Sequence, residues 1–210
     1  EFNRFSDQLE QIASHPSPGE TAHEEIFPKI AKFRKEALAK NPDPKLSAVA
    51  AIFFPTKNDT SLLLIERQTY DGVHSGQIGF PGGKIEELDL SLEHTARRET
   101  QEEVGIPGES LQLVRSLTEV YIPPSGFLVQ PFLFTLKYTP ELVLDPREVQ
   151  SVLVMPLSKV LDDRTLVKGD IPTQGKQIIH TVYFEHENKK IWGATAMMLA
   201  ELKILLKPYQ

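Results

Sequence analysis

Three glutamates, Glu99, Glu102 and Glu103, fall in a stretch that reads as a helix from Ser91 to Val104. At about 100° per residue they share an arc of roughly 100°. The same wheel puts Leu92, Thr95 and Ala96 on that side, so a face that should meet the core turns acidic in its last two turns. Carboxylates gathered at the edge of a core are costly unless something neutralises them. Hard divalent cations do so through oxygen ligands, and Mg2+ or Mn2+ keeps coordination positions open for phosphate. Arg98 lies one turn before Glu102 and is expected to pair with it. Arg97 and Gln101 point the other way and read as the solvent side. Directly ahead of the helix runs Phe80-Pro81-Gly82-Gly83-Lys84. Paired glycines let a backbone approach closely and take up positive φ, as phosphate-contacting loops require. Glycine loop and acidic helix together point to metal-dependent chemistry on a phosphate compound.

The elements that must position these residues alternate along the chain. Residues 1–45 read as polar and helical, with Phe2, Phe5 and Leu9 at helical spacing, a loop at His15–Gly19 and a helix from Pro28 to Lys40. Ala48–Phe54 and Ser61–Glu66 are strand-like and joined by a turn at Lys57-Asn58-Asp59. After the acidic helix, closed by Gly105, strands are expected at Leu111–Tyr121, Phe127–Tyr138, Val149–Met155 and Gln177–Phe184. Ala194–Leu206 is a closing amphipathic helix. Strands interleaved with helices predict a mixed sheet sandwiched by helices.

Composition narrows the class further. The chain has 210 residues, ample for one core, and its 23 basic against 29 acidic side chains leave a net charge of −6. That balance disfavours nucleic acid held by a net positive field, though not a small anion in a local basic pocket. Without cysteine there is no disulfide, thiolate metal site or cysteine nucleophile. The longest apolar run, Ala48–Phe54, is far short of a membrane span. No leader precedes Glu1, so the expectation is a cytoplasmic protein whose targeting segment is absent or removed.

The run from Gly83 to Ile106 resembles the Nudix box, G-x5-E-x7-R-E-U-x-E-E-x-G-U with U a bulky aliphatic. Arg98, Glu99, Glu102, Glu103, Gly105 and Ile106 meet its second half, with Thr100 in an aliphatic slot. The first half departs twice. Asp89 stands where a glutamate is expected, and eight residues rather than seven separate it from Arg98. Upstream, His74-Ser75-Gly76-Gln77-Ile78-Gly79-Phe80-Pro81-Gly82-Gly83 is similar to the stretch preceding a lengthened box in coenzyme A diphosphatases. Leu63, Leu64, Arg67, Ser125-Gly126-Phe127, Glu148, Pro156-Leu157 and Ile191–Ala196 extend that likeness over residues 47–205. A basic residue usual two positions before His74 is absent here, where Gly72 stands.

The resemblance implies an α+β fold, a Nudix-type α/β/α sandwich with a mixed central sheet. Residues 1–45 would be an N-terminal helical extension and 46–210 the Nudix hydrolase domain. It implies a pyrophosphohydrolase, dependent on Mg2+ or Mn2+, that cleaves the diphosphate bond of a nucleoside diphosphate derivative. Coenzyme A or acyl-CoA, split to 3′,5′-ADP and a 4′-phosphopantetheine, is the leading substrate. Gly72 favours the alternative of ADP-ribose, a dinucleotide or an oxidised nucleotide. A non-catalytic ligand-binding module of the same fold is the alternative of another class, and the intact Arg98, Glu99, Glu102 and Glu103 argue against it. A homodimer is common among similar proteins.

Site residues follow from the same resemblance. Glu99, Glu102 and Glu103 are the implied metal ligands. A carboxylate must take the proton of the attacking water. Either a box glutamate, Glu102 or Glu103, or an outside acid could do so, and Glu148 at a strand entry is the outside candidate. Arg98 is expected to orient a box glutamate. Arg67, His74, Gly82, Gly83 and Lys84 are the expected substrate-side residues. Arg67 and Lys84 would reach phosphate or stand as a strand-end and a solvated cation, and His74 reads first as a hydrogen-bonded loop histidine and second as a catalytic group. Phe127 and Tyr121 could stack on a base, while Trp192 docks the last helix.

Overall fold

The computed structural model describes residues 2–57, 59–69, 75–172 and 178–209. Four helices lead, α1 (Phe2–Asp7), α2 (Leu9–Ser14), α3 (Gly19–Ile26) and α4 (Pro28–Leu38). Strands β1 (Lys45–Pro55), β2 (Thr60–Arg67), β3 (Ile78–Gly79) and β4 (Gly82–Lys84) precede helix α5 (Leu92–Val104). Then come β5 (Gln112–Ser116), β6 (Val120–Ile122), β7 (Phe127–Thr135), β8 (Val149–Pro156) and α6 (Leu157–Leu161). The chain closes with β9 (Leu166–Pro172), β10 (Ile178–His186), β11 (Lys189–Ile191) and α7 (Gly193–Leu206).

Strand β1 is the spine because its side chains are apolar on both faces. Ala51 and Phe53 enter one core, while Ala48, Ala50, Ile52 and Phe54 enter the other, the period of two that a pleated strand imposes. Strand β2 divides in the same way, Leu62 and Leu64 against Leu63 and Ile65. The central sheet runs β3-β2-β1-β7-β5, with β4 also on β1, β6 on β7 and β8 on β2. Only the β1–β7 pairing among these is parallel, so the sheet is mixed. Helix α5 packs on one face, and α7 with the leading helices covers the other. This is the expected α+β sandwich. A separate antiparallel sheet, β11-β10-β9, adjoins it.

Several local expectations differ. The strand expected over Leu111–Tyr121 is two strands, β5 and β6, parted where the Thr118 backbone turns to donate to Glu201. Gly19 opens helix α3, an element that the prolines ahead of it concealed. Strand β9 was hidden by Lys168, Gly169, Asp170 and Pro172, residues typical of loops that here line a sheet edge. Among the described residues no helix is long and apolar enough to cross a membrane.

The leading helices are fastened to the sheet by polar as well as apolar contacts. Phe5, Ile12 and Phe27 are buried in the core beneath α7. Arg115 donates to the Ile12 and His15 carbonyls, and Arg34 to the Tyr121 carbonyl. Buried Glu201 of α7 accepts from Ser17 Oγ at 2.9 Å and from Thr118. Ile12→Ala should therefore cost about 2–4 kcal/mol of global stability. Urea denaturation checks this. A loss below about 1 kcal/mol, or a separate early transition, would show residues 1–45 to be loosely attached.

Candidate active site

Helix α5 begins and ends where its caps dictate. Ser91 Oγ accepts from the His94 N–H at the N-terminus, and Gly105, at φ +74°, closes the C-terminus with its N–H on the Gln101 carbonyl. Between the caps the buried face runs Thr95, Ala96, Thr100, Glu103 and Val104. The apolar stripe thus ends on a carboxylate. Arg97 does not face solvent as the wheel suggested. Its guanidinium donates to the Gly108 and Leu111 carbonyls and lies over the Phe134 ring, because the chain after the helix folds back beside it.

Glu103 is buried, with its side chain 1% exposed. One oxygen accepts from the Gly82 N–H at 2.8 Å, the other from Arg67 Nη1 at 3.3 Å. Burial nevertheless pushes its pKa up to about 7, with the neighbouring Glu99 and Glu148 charges adding to the rise. Arg67 and the Gly82 N–H oppose that rise. Burial also raises Glu99, against the pull of Arg98, whose Nη1 donates to Glu99 Oε1 at 3.0 Å.

Strand β4 lets the helix come this close. A Cβ on Gly82, at φ +150°, would strike the Ala48 carbonyl oxygen and stand 2.6 Å from Val49 Cα on β1. A Cβ on Gly83 would overlap the Glu99 carboxylate. The glycine pair therefore makes room for strand pairing on one side and for an acid on the other. Lys84 is exposed, and its carbonyl accepts from Arg98 Nη2.

Arg98 is a four-way connector. Nε and Nη2 reach the two Asp89 oxygens at 3.0 Å each, while Nη1 forks between Glu99 and Glu102 Oε2 at 2.9 Å. Asp89 also accepts from the Glu86 N–H, His94 Nδ1 and Thr95 Oγ1. The Arg98 guanidinium holds the Asp89 carboxyl well below the usual carboxylate range. Asp89 was legible only as a departure from the box, and its partner Arg98, nine positions on, could not be read from a helical wheel.

The third acid of the cluster comes from outside the helix. Glu99, Glu103 and Glu148 each bring an oxygen within 4.8 Å of the others. Glu102 is not in that group. Its side chain is 56% exposed and tied to Arg98. Glu148 arrives because the segment before β8 docks on the C-terminal end of α5. The Asp145 N–H donates to the Glu103 carbonyl and the Val143 N–H to the Val104 carbonyl. Those carbonyls have no partner within the helix. Arg67 extends from the end of β2 onto Glu103 and the Gly82 carbonyl. His74 lies outside the described residues. Phe127 is half-buried under the Lys45 ammonium, Tyr121 is buried with its hydroxyl accepting from Asn41, and Trp192 directly precedes α7. The cluster suits a hard divalent cation, since its donors are all carboxylate oxygens and the Gly83 cradle keeps their space clear.

Fold and site together define an α+β sandwich whose acidic helix, glycine strand and outside carboxylate form a cluster suited to a divalent cation. Residues 44–174 match the NUDIX domain family. The chain is 35% identical over 156 residues to the uncharacterized Nudix hydrolase NudL of Photorhabdus laumondii, covering 73% of this chain and 82% of that protein. The NudL protein of Citrobacter koseri is also 35% identical, over 74% of this chain and 81% of its own length. A MutT/nudix family protein of Enterococcus faecalis shares the fold at a TM-score of 0.51 and 18% identity, over 91% of this chain and 73% of that one. The chain belongs to the Nudix family and is a Nudix hydrolase.

Two expectations test this geometry. The folded state holds the Glu103 proton more tightly than the unfolded chain, so this group removes stability as pH rises from 4.5 to about 7. Buried His23, lowered from 6.5 to about 4, acts oppositely over most of that window, up to 6.5. Comparison with Glu103→Gln isolates the first effect. In metal-free protein the stability difference, variant minus wild type, should grow by about 2 kcal/mol between pH 5 and pH 8. A flat difference by urea denaturation would refute the assignment. Separately, Gly83→Ala should displace the Glu99 carboxylate and weaken Mn2+ binding at least about tenfold by calorimetry, with β1–β4 pairing retained.

Proposed function

We propose that this Nudix hydrolase cleaves the diphosphate bond of coenzyme A or acyl-CoA, giving 3′,5′-ADP and a 4′-phosphopantetheine. The hydrolytic part is supported by the convergence of Glu99, Glu103 and Glu148 beside the Gly82-Gly83 backbone. The preference for coenzyme A is supported by the His74–Gly83 stretch, similar to that of coenzyme A diphosphatases. Gly72, in place of a basic residue, favours ADP-ribose or a dinucleotide as the second reading.

Glu99 and Glu103, joined by Glu102, would hold Mg2+ or Mn2+, with Glu148 beside them. Such an ion supplies charge neutralisation for the diphosphate and acidifies bound water. The chain's own groups do the rest. Arg98 keeps Glu99 and Glu102 in fixed rotamers through its fork, itself braced by Asp89. Arg67 restrains Glu103 and presents a cation to the cluster from the strand side. Glu148, exposed at the mouth of the cluster, takes the proton of the water that attacks phosphorus in line.

A product assay over coenzyme A, ADP-ribose, NADH, diadenosine polyphosphate and an oxidised dGTP tests the substrate. With Mg2+ or Mn2+ present, 3′,5′-ADP from coenzyme A should appear at the highest kcat/KM. A lead of about tenfold or more for another compound would overturn the coenzyme A reading and leave the hydrolase intact. For the roles, Glu148→Gln should lower kcat about 10²- to 10⁴-fold with Mn2+ affinity little changed. Glu102→Gln distinguishes the alternative base, since a base loses kcat with Mn2+ affinity kept, whereas a metal ligand loses both.

A further inference from the structure

Glu148 stands beside two other carboxylates on a segment with no helix or strand of its own, residues 139–148. An oxygen of each lies within 4.8 Å of the others, a separation at which like charges repel. Left to itself, an exposed side chain on such a segment would turn toward water. Something must hold it against that push.

The restraint comes from the residue after Arg67. Strand β2 pairs with β8 in register from Ser61–Pro156 to Glu66–Ser151, then slips between Glu66 and Arg67, where Arg67 faces Val149. A bulge of this kind re-aims the side chains that follow it. Arg67 is turned onto Glu103 and Gly82, and Gln68 onto the segment that carries Glu148. The Gln68 N–H donates to the Glu148 carbonyl at 2.8 Å, and Gln68 Nε2 donates to the Pro146 carbonyl at 2.8 Å. Gln68 thereby grips the segment at two carbonyls, and the Glu148 and Val149 N–H groups close it on the Asp145 carbonyl at 3.1 and 2.9 Å. The Asp145 N–H then anchors it to the Glu103 carbonyl at 3.0 Å.

We infer that Gln68 is a positioning residue for the hydrolysis, holding Glu148 at the carboxylate cluster through the Pro146–Glu148 backbone. The inference rests on the role proposed for Glu148. It requires no contact between Gln68 and substrate. It predicts that Gln68 matters only while Glu148 can act.

A double-mutant cycle on the full chain decides it, with Gln68→Met and Glu148→Gln alone and combined. Methionine keeps the length and the backbone N–H but cannot donate to Pro146. The assay compound is whichever of coenzyme A and ADP-ribose the wild type turns over faster. Gln68→Met should lower kcat about tenfold with KM within about twofold. In the Glu148→Gln background the same change should cost less than about twofold. Thermal unfolding of Gln68→Met should stay within about 3 °C of wild type, which separates positioning from loss of fold. Gln68→Glu, of the same shape but unable to donate when ionised, should reproduce the methionine result. Equal losses in both backgrounds, or an unchanged kcat, would overturn the inference and leave the Glu148 reading standing. A Glu148→Gln enzyme of undiminished activity would instead strike down that reading, and the inference with it.

Discussion

Taking an ionised carboxylate out of water costs several kcal/mol unless hydrogen bonds and charge replace its hydration. Glu103 meets that cost with partners drawn from the sheet, the Gly82 N–H and the Arg67 guanidinium. The docking of the acidic helix therefore depends on two strands, β4 and β2, reaching the same carboxylate. It also explains the glycine pair. Any side chain at Gly82 would push β4 off β1, and any at Gly83 would fill the space of Glu99. Burial, with two like charges within reach adding to it, still leaves Glu103 ionising near neutrality. Such a group can carry a proton while no cation is bound and surrender it when one binds.

On the solvent side of the helix, charge is balanced by a different device. Arg98 spends its guanidinium on Asp89, Glu99 and Glu102 at once, so the helix acids are neutralised in pairs rather than as a block. Asp89 is shorter than the glutamate the family pattern expects, and the lengthened loop makes up the reach. The chain turns back at Glu86, whose N–H donates to Asp89, and the Asp89 N–H returns to the Glu86 carbonyl. That local turn aims a carboxylate, 1% exposed, along the side of the helix. His94 and Thr95, in the first turn, complete its shell. The extra residue thus falls outside the helix, and the spacing among Arg98, Glu99, Glu102 and Glu103 is untouched.

How much of this was legible depended on whether the interaction was periodic. The helix, its Gly105 cap and its acidic stripe were readable because 3.6-residue geometry ties Glu99 and Glu103 to Ala96 and Thr95. The double-faced strands β1 and β2 were readable from their apolar runs. A wheel gives directions but not neighbours. It grouped Glu102 with the other two acids, whereas Arg98 draws it outward and an acid 45 positions after Glu103 brings the third oxygen. It assigned Arg97 to solvent because nothing in the helix shows that Gly108 and Leu111 fold back as acceptors. The upstream likeness ran through His74, outside the described residues, so the stretch that speaks most directly to substrate speaks through sequence alone.

The two faces of the central sheet carry different burdens. Helices α1 to α4 and α7 cover one face with a continuous apolar core, fastened by the buried Glu201 and by Arg115. The α5 face carries a smaller core that stops where the acids begin. Strand β2 crosses from one regime to the other within its own length. Thr60 to Ile65 are buried, then Glu66 pairs with Lys189, Arg67 meets Glu103 and Gln68 meets the Glu148 segment. Buried packing behind these three residues fixes where their polar ends arrive. A carboxylate cluster at the edge of a sheet needs such backing, because its members repel one another and gain little from each other until a cation joins them. The apolar bulk on the far face is what allows the polar edge to stay assembled.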